Sequence, residues 1–377
     1  MSVDLYNLSP AGQLMGLGLL FAGLPLLWFW RKHRLAAPAQ RLKALTLLTL
    51  VLTFELVLVG AFTRLSDSGL GCPDWPGCYG SATPWGARQE ITQAQNAMPT
   101  GPVTHSKAWI EMVHRYMASG VGVLIIALCL LTWQQWRRDR RLAVHPAWTL
   151  LTLFWVCLQG AFGALTVTMK LFPAIVSLHL MLAIGLLALL VVQAVRYEGW
   201  KSVSIPAGLR GGLLLAMALL GLQIGLGAWV STNYAVLACT DFPTCQGQWW
   251  PEMNWLGFGF WRELGHAADG RPLPFDALVS IHYIHRCMAW LVLAVLVTVG
   301  WRLRQHAGLA RPARALLALS ALQFFTGLSN VVLDWPLVAA LLHTGGAAAI
   351  AMTLTWALSL STAAVASPTF IHSRPVA

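Results

Sequence analysis

Residues 175–195 read IVSLHLMLAIGLLALLVVQAV. None of these side chains is charged, and only Ser177, His179 and Gln193 are polar. At about 1.5 Å of rise per residue the stretch reaches roughly 30 Å, the thickness of a bilayer's hydrocarbon. It reads as a membrane-spanning helix with an imidazole set inside the membrane. Eight further segments have the same character: 11–30, 43–63, 108–133, 146–168, 209–231, 278–301, 313–333 and 337–360. The whole chain agrees with them. Of 377 residues 57% are hydrophobic and 10% charged, and the mean hydropathy is +0.63. A soluble domain carries about 25% charged residues, so a disordered chain and an ordinary soluble enzyme are excluded. The apolar stretches are too long for strands of a membrane barrel. Segment 11–30 is too long for a removed signal peptide and has no small-residue cleavage site.

The formal charge of +11 lies in particular loops. Segments 31–43, 137–141, 196–210 and 302–314, with the C-terminal tail, hold 17 of the 25 Lys and Arg residues and two acids, Asp139 and Glu198. The two long loops, 64–107 and 232–277, hold most of the acids. Basic loops stay in the cytoplasm. The expected topology therefore has the N-terminus and both long loops outside and the C-terminus inside. Charge placed this way orients a membrane protein and needs no nucleic-acid partner.

The chain also repeats itself. Cys72-Pro-Asp74-Trp75-Pro76-Gly-Cys78 answers to Cys239-Thr-Asp241-Phe242-Pro243-Thr-Cys245, 167 positions on. Glu111-Met-Val-His114-Arg115 answers to His282-Tyr-Ile-His285-Arg286, 171 on. Gln159-Gly-Ala-Phe-Gly163 answers to Gln323-Phe-Phe-Thr-Gly327, and His179 to His343, both 164 on. The expected fold is an all-α integral membrane protein of two pseudo-symmetric four-helix bundles made by a parallel internal repeat, 43–195 and 209–360. Its axis would lie along the membrane normal. Residues 1–42 add one transmembrane helix and a basic loop, and 361–377 form a cytoplasmic tail.

Of eleven histidines, His33, His105, His145, His266, His306 and His372 fall in or beside loops or in the tail. His114, His179, His285 and His343 lie inside spans, roughly 8–12 Å below the outer ends of their helices. Polar side chains there are costly and usually functional. One such histidine would most simply hydrogen-bond across helices. Four at matched depth, on the second and fourth helices of each half, suit a flat cofactor with two axial positions, and imidazole is a standard haem ligand. Zinc fits less well, because apart from Glu111 no acid or thiolate stands nearby at ligand spacing.

The halves differ at one informative place. Glu111 stands one helical turn before His114, where the second half has His282. A carboxylate there would take a proton or stabilise positive charge beside a buried haem; a structural hydrogen bond to a ring nitrogen or a loop amide is the alternative. Glu55, mid-span, is a second intramembrane acid. Arg115 and Arg286 would pair with haem propionates or extend to the surface. The loop cysteines would form disulfides Cys72–Cys78 and Cys239–Cys245 in an oxidising compartment, with redox-active thiols or a metal site as alternatives. Cys129, Cys157 and Cys287 read as small apolar residues within spans.

Taken together, "GAFTRLSDSGLGCPDWPGC", "EMVHR", "QGAFGALTV" leading to His179, "CTDFPTC", "IHYIHR" and "QFFTGLSNVVLDWP" leading to His343 resemble the haem A synthase family across 43–360. The resemblance implies oxidation of the C8 methyl of haem O to a formyl group by successive hydroxylations and loss of water. It implies that His285 and His343 are the axial ligands of a resident haem b, that His114 and His179 hold the iron of the haem O substrate, and that Glu111 is the essential acid. It further implies a bacterial cytoplasmic-membrane location among membrane lipid, a haem O synthase as donor, cytochrome oxidase assembly as client and an unidentified electron-transfer partner. The extra leading helix departs from the family's eight-helix pattern. Two rival readings are a bis-histidine dihaem electron-transfer cytochrome b without chemistry of its own and a parallel-repeat transporter. The first leaves Glu111 without a role. The second requires midplane polar groups, whereas here they crowd toward the outer side.

Overall fold

The computed structural model describes residues 6–199 and 202–363. Lys201, His372, Arg374 and most of the expected tail lie outside the described residues. The helices are α1 (Ala11–His33), α2 (Pro38–Leu65), α3 (Arg88–Ala97), α4 (His105–Arg138), α5 (Pro146–Thr168), α6 (Pro173–Glu198), α7 (Ala207–Thr232), α8 (Phe275–Leu303), α9 (Ala310–Val332) and α10 (Leu337–Leu360). Among the described residues all of these except α3 are long and apolar enough to cross a membrane. The short α3 lies inside the first long loop. The strand content is slight: β1 (Tyr6–Asn7) pairs in parallel with β2 (Trp75–Pro76), and β3 (Val203–Ile205) with β4 (Ser361–Ala363).

The helices extend beyond the apolar spans because their ends are capped by polar or rigid residues. Thr104 accepts from the Lys107 amide at 3.2 Å and starts α4 three residues before the apolar run. Pro38, Pro146 and Pro173 open α2, α5 and α6, where the missing N–H costs nothing and φ is already helical. Gly199 ends α6 at φ 64°, a left-handed turn that glycine adopts without strain. Inside the spans Thr46, Thr49 and Thr53 return their hydroxyl protons to carbonyls one turn back, so no donor is left open in an apolar surrounding. Glu55 is exposed on the surface of α2.

Packing places α2, α4, α5 and α6 in one closed ring, each touching two neighbours, with α4 and α6 at opposite corners. Helices α7, α8, α9 and α10 form a second ring with α8 and α10 opposed. The rings meet through α6 against α7 and α10, and through α2 against α10. Helix α1 packs on α4, with Gly18 against the Cβ and backbone of Ser119. Two apolar cores fill the rings toward their short-loop ends, one around Leu124, Leu128, Leu187 and Leu190, the other around Leu213, Leu296, Leu316 and Leu354. At the long-loop end the rings are tied by polar contacts. Arg64 donates to the Ser231 carbonyl and lies 4.2 Å over the Tyr234 ring, whose hydroxyl donates to Asp67 at 2.6 Å. Asp67 and Tyr234 are 167 positions apart, and both turn left-handed, at φ 51° and 55°.

Candidate functional site

The four intramembrane histidines lie nine, six, ten and six residues beyond the first residues of α4, α6, α8 and α10. That is roughly 9–15 Å along each helix from its long-loop end. The spread exceeds the expected one because the capped helices begin before the apolar runs. Since α4 and α6 occupy opposite corners, His114 and His179 face one interior from two sides, near enough for electrostatic interaction. His285 and His343 do the same from α8 and α10.

Each imidazole rests on a glycine of an adjacent helix. A Cβ at Gly60 would stand 2.9 Å from His114 Cε1, and one at Gly163 would stand 3.2 Å from His179 Cε1. Gly227 and Gly327 give 2.9 Å to His285 Cε1 and 3.1 Å to His343 Cε1. Ordinary carbon contacts are about 3.5–4.0 Å, so no larger residue fits without moving a ring. Sequence reading quoted Gly163 and Gly327 within a repeated motif without giving them a role, and passed over Gly60 and Gly227. The signal was present, because Gly60 and Gly227 are 167 apart and Gly163 and Gly327 are 164 apart, the offsets of the cysteine rings and the second histidines.

The remaining motif residues grip the long loops. Cys72–Cys78 and Cys239–Cys245 are disulfides, each with Cα atoms 4.8 Å apart. Asp74 accepts from the amides of Tyr79 and Gly80, and Asp241 from those of Gln246 and Gly247. The Thr244 hydroxyl, with those amides, holds the Asp241 carboxyl below the usual carboxylate range. Burial, with Asp74 nearby, pushes the Tyr79 hydroxyl up.

Below each ring, the helix meets it with matched residues. The Cys72 amide donates to Glu111 Oε2 at 2.8 Å, and the Cys239 amide to His282 Nδ1 at 3.3 Å. Arg115 donates to the carbonyls of Asp74, Pro76 and Gly77, and pairs with Glu111 Oε1 at 2.5 Å. Arg286 donates to the carbonyls of Pro243 and Thr244. Arg115 is thus occupied by the ring and by Glu111, rather than extended to the surface. Glu111 is 3% exposed and joins the first ring to the helix of His114. The loop-amide bond anticipated as its structural role is present. It leaves in place a carboxylate one turn from an intramembrane imidazole.

The donor set fits haem. Two imidazoles face each interior, and among the described residues no three His, Cys, Asp or Glu side chains gather as a metal cluster. His114 Nδ1 and His179 Nδ1 are buried without a hydrogen-bond partner, a costly condition for groups with no function there. A pair of imidazoles in an apolar bundle could serve as axial ligands of a haem and is too few for a structural zinc site.

Comparison with known proteins agrees with this geometry. Residues 43–355 match the family model COX15-CtaA, described as cytochrome oxidase assembly protein. A protein of Shewanella oneidensis named heme A synthase is 37% identical over 311 residues, covering 81% of this chain and 92% of that protein. The chain belongs to the haem A synthase family. Members from Halalkalibacterium halodurans and Rhizorhabdus wittichii, both named heme A synthase, are 26% and 25% identical over 314 and 349 residues. These cover 81% and 86% of this chain, and 91% and 96% of the relatives. Helix α1 precedes the residues matched by the family model, so the haem A synthase match begins within α2.

Proposed function

We propose that this chain is the haem A synthase of a bacterial cytoplasmic membrane: an oxidoreductase that converts the C8 methyl of haem O to a formyl group for cytochrome oxidase assembly. The carrying observation is the arrangement of two opposed imidazole pairs in two helix rings, only one of which has a carboxylate beside it. The ring of α2, α4, α5 and α6, within 43–195, takes the substrate, with His114 and His179 as its iron ligands. The ring of α7 to α10, within 209–360, takes haem b on His285 and His343. The matched glycines, cysteine rings and left-handed turns support a parallel duplication of one four-helix unit, to which residues 1–42 add α1. Charge in the short loops favours an orientation with the N-terminus and long loops outside and the C-terminus in the cytoplasm.

When bound, haem b supplies one-electron transfer; the chain's side chains do the rest. His114 and His179 would hold haem O across the bundle, where its isoprenoid tail can remain in lipid. Turning a methyl into a formyl group adds one oxygen and removes four electrons, by way of a hydroxymethyl and a diol that loses water. With water as the oxygen source and the electron partner as acceptor, each two-electron oxidation releases two protons; with dioxygen as the source, each hydroxylation instead takes up two electrons and two protons. Glu111, set by the Cys72 amide and Arg115 one turn from His114, is the group placed to receive a proton or to stabilise positive charge. The second ring has His282 in that place, which fits electron transfer without bond-making. The haem O synthase that supplies substrate, the oxidase that takes product and the electron partner complete the proposed set of partners.

The test is pigment analysis of cells that make haem O, with and without this chain. A new formyl-haem peak is expected. Cells that keep only haem O while the protein carries bound haem would support the electron-transfer cytochrome instead.

A further inference from the structure

We propose that Thr326 is a positioning residue that fixes His343 as a strengthened axial ligand of the resident haem, and that Phe162, at the matching place, leaves His179 without this support and so exchangeable. The proposal rests on the assignment of haem b to His285 and His343.

The argument starts from one hydroxyl proton. Thr326 Oγ1 donates to the Leu322 carbonyl at 2.8 Å. A threonine hydroxyl has a single proton but two lone pairs. With that proton on the Leu322 carbonyl, it accepts from His343 Nδ1, 3.0 Å away. Nδ1 carries the ring hydrogen, and Nε2 keeps its lone pair for a metal. A hydrogen bond at the distal nitrogen fixes the tautomer, orients the ring and raises the basicity of a ligating histidine. The same turn of α9 provides two further restraints. Gly327 seats the ring, and Gln323 Nε2 donates to the His343 main-chain carbonyl at 2.8 Å.

Helix α5 has the same turn with one change. Gln159 and Gly163 match Gln323 and Gly327, but Phe162 replaces Thr326. Phenylalanine offers no acceptor, and Phe162 packs into the apolar cluster of Phe172, Ile175 and Trp229. His179 Nδ1 is left buried and unpartnered, while Gln159 Nε2 lies 3.3 Å from His179 Nε2, the nitrogen that a metal would take.

The other histidine of each pair differs as well, though without an acceptor at Nδ1. Gln223 Nε2, a donor, lies 3.1 Å from His285 Nδ1 and donates to the His285 carbonyl at 3.1 Å; it restrains this turn of α8 without accepting a ring hydrogen. Leu56 stands 167 positions earlier, and His114 Nδ1 has no partner. In one ring a hydroxyl meets one Nδ1 and a carboxamide nitrogen the other; in the other ring neither Nδ1 has a partner. A resident cofactor needs firm ligands in every turnover. A substrate that enters and leaves as product needs ligands that release it.

The experiment uses full-length protein purified with its native haem. It follows the midpoint potential of the b-type haem and the rate of haem transfer to an apo-globin acceptor. Thr326→Val should raise the midpoint, because a less basic ligand favours the ferric state less, and should speed haem loss roughly 10-fold. Thr326→Ser, which keeps the hydroxyl, should restore both. If the valine variant fails to accumulate, Thr326→Ala reads the same two quantities with no added contact. His343→Ala is the control for the ligand assignment and should abolish the b-type spectrum. An unchanged spectrum in His343→Ala would overturn the ligand assignment itself. Loss of the spectrum in His343→Ala, together with wild-type potential and retention in Thr326→Val, would refute the role of Thr326 alone.

Discussion

Gly227→Ala isolates the seating of an imidazole from every other property of the fold. The added methyl would stand 2.9 Å from His285 Cε1, with Nδ1 and Nε2 at 3.6 and 3.7 Å. To recover even a tight contact of about 3.4 Å, ring or helix must move by roughly half an ångström. Overpacking on this scale costs about 1–3 kcal/mol, which corresponds to roughly 5- to 150-fold if it falls on ligand geometry. The same substitution removes a helical glycine, which by itself favours the helix by about 1 kcal/mol. Gly225→Ala separates the two effects. It lies on the same helix with nothing within 4 Å of the new Cβ, so it carries the propensity gain without the clash. The assay is haem content per protein and haem transfer to apo-globin, with thermal unfolding measured in parallel. Gly225→Ala should keep its haem and melt no lower than wild type. Gly227→Ala should fold, but lose haem at least several-fold faster. If the two variants retain haem equally well, the ring is free to move and the seating argument is wrong.

Glu111→Gln should bind haem normally yet yield no formyl haem on extraction and chromatography; wild-type turnover would remove the carboxylate from the reaction. Arg115→Ala leaves Glu111 and three loop carbonyls without their cation. Breaking a buried pair in this way should destabilise by about 3 kcal/mol, read as a lower melting temperature, and an unchanged melt would show that solvent replaces the guanidinium. Alkylation of the unfolded protein should label Cys129, Cys157 and Cys287 before reduction and all seven cysteines after it; modification of Cys72 or Cys239 without reductant would contradict the ring disulfides.

The nine spans and the four intramembrane histidines were legible in the chain itself. Hydropathy accumulates along a helix axis, and a polar group in an apolar run stands out wherever its neighbours finally pack. The offsets of 164 to 171 positions were also present in one dimension, so the pairing of motifs preceded any coordinates, while disulfides, thiols and a metal site all remained open for the loop cysteines until the fold closed both rings. Contacts between helices decided the rest. Arg115 is 38 to 41 residues from the carbonyls it holds, and only the fold of the long loop over α4 turns it from the surface toward the ring. The glycine seats depend on which faces of α2, α5, α7 and α9 meet the histidine helices, and a glycine in a membrane helix has many other uses. Whether a ring nitrogen finds Thr326 or goes unpartnered beside Phe162 is a matter of hydrogen-bond reach across a helix pair. To the Glu111–His282 difference read from the sequence, packing adds a second: a hydroxyl within reach of His343 Nδ1 and none within reach of His179 Nδ1.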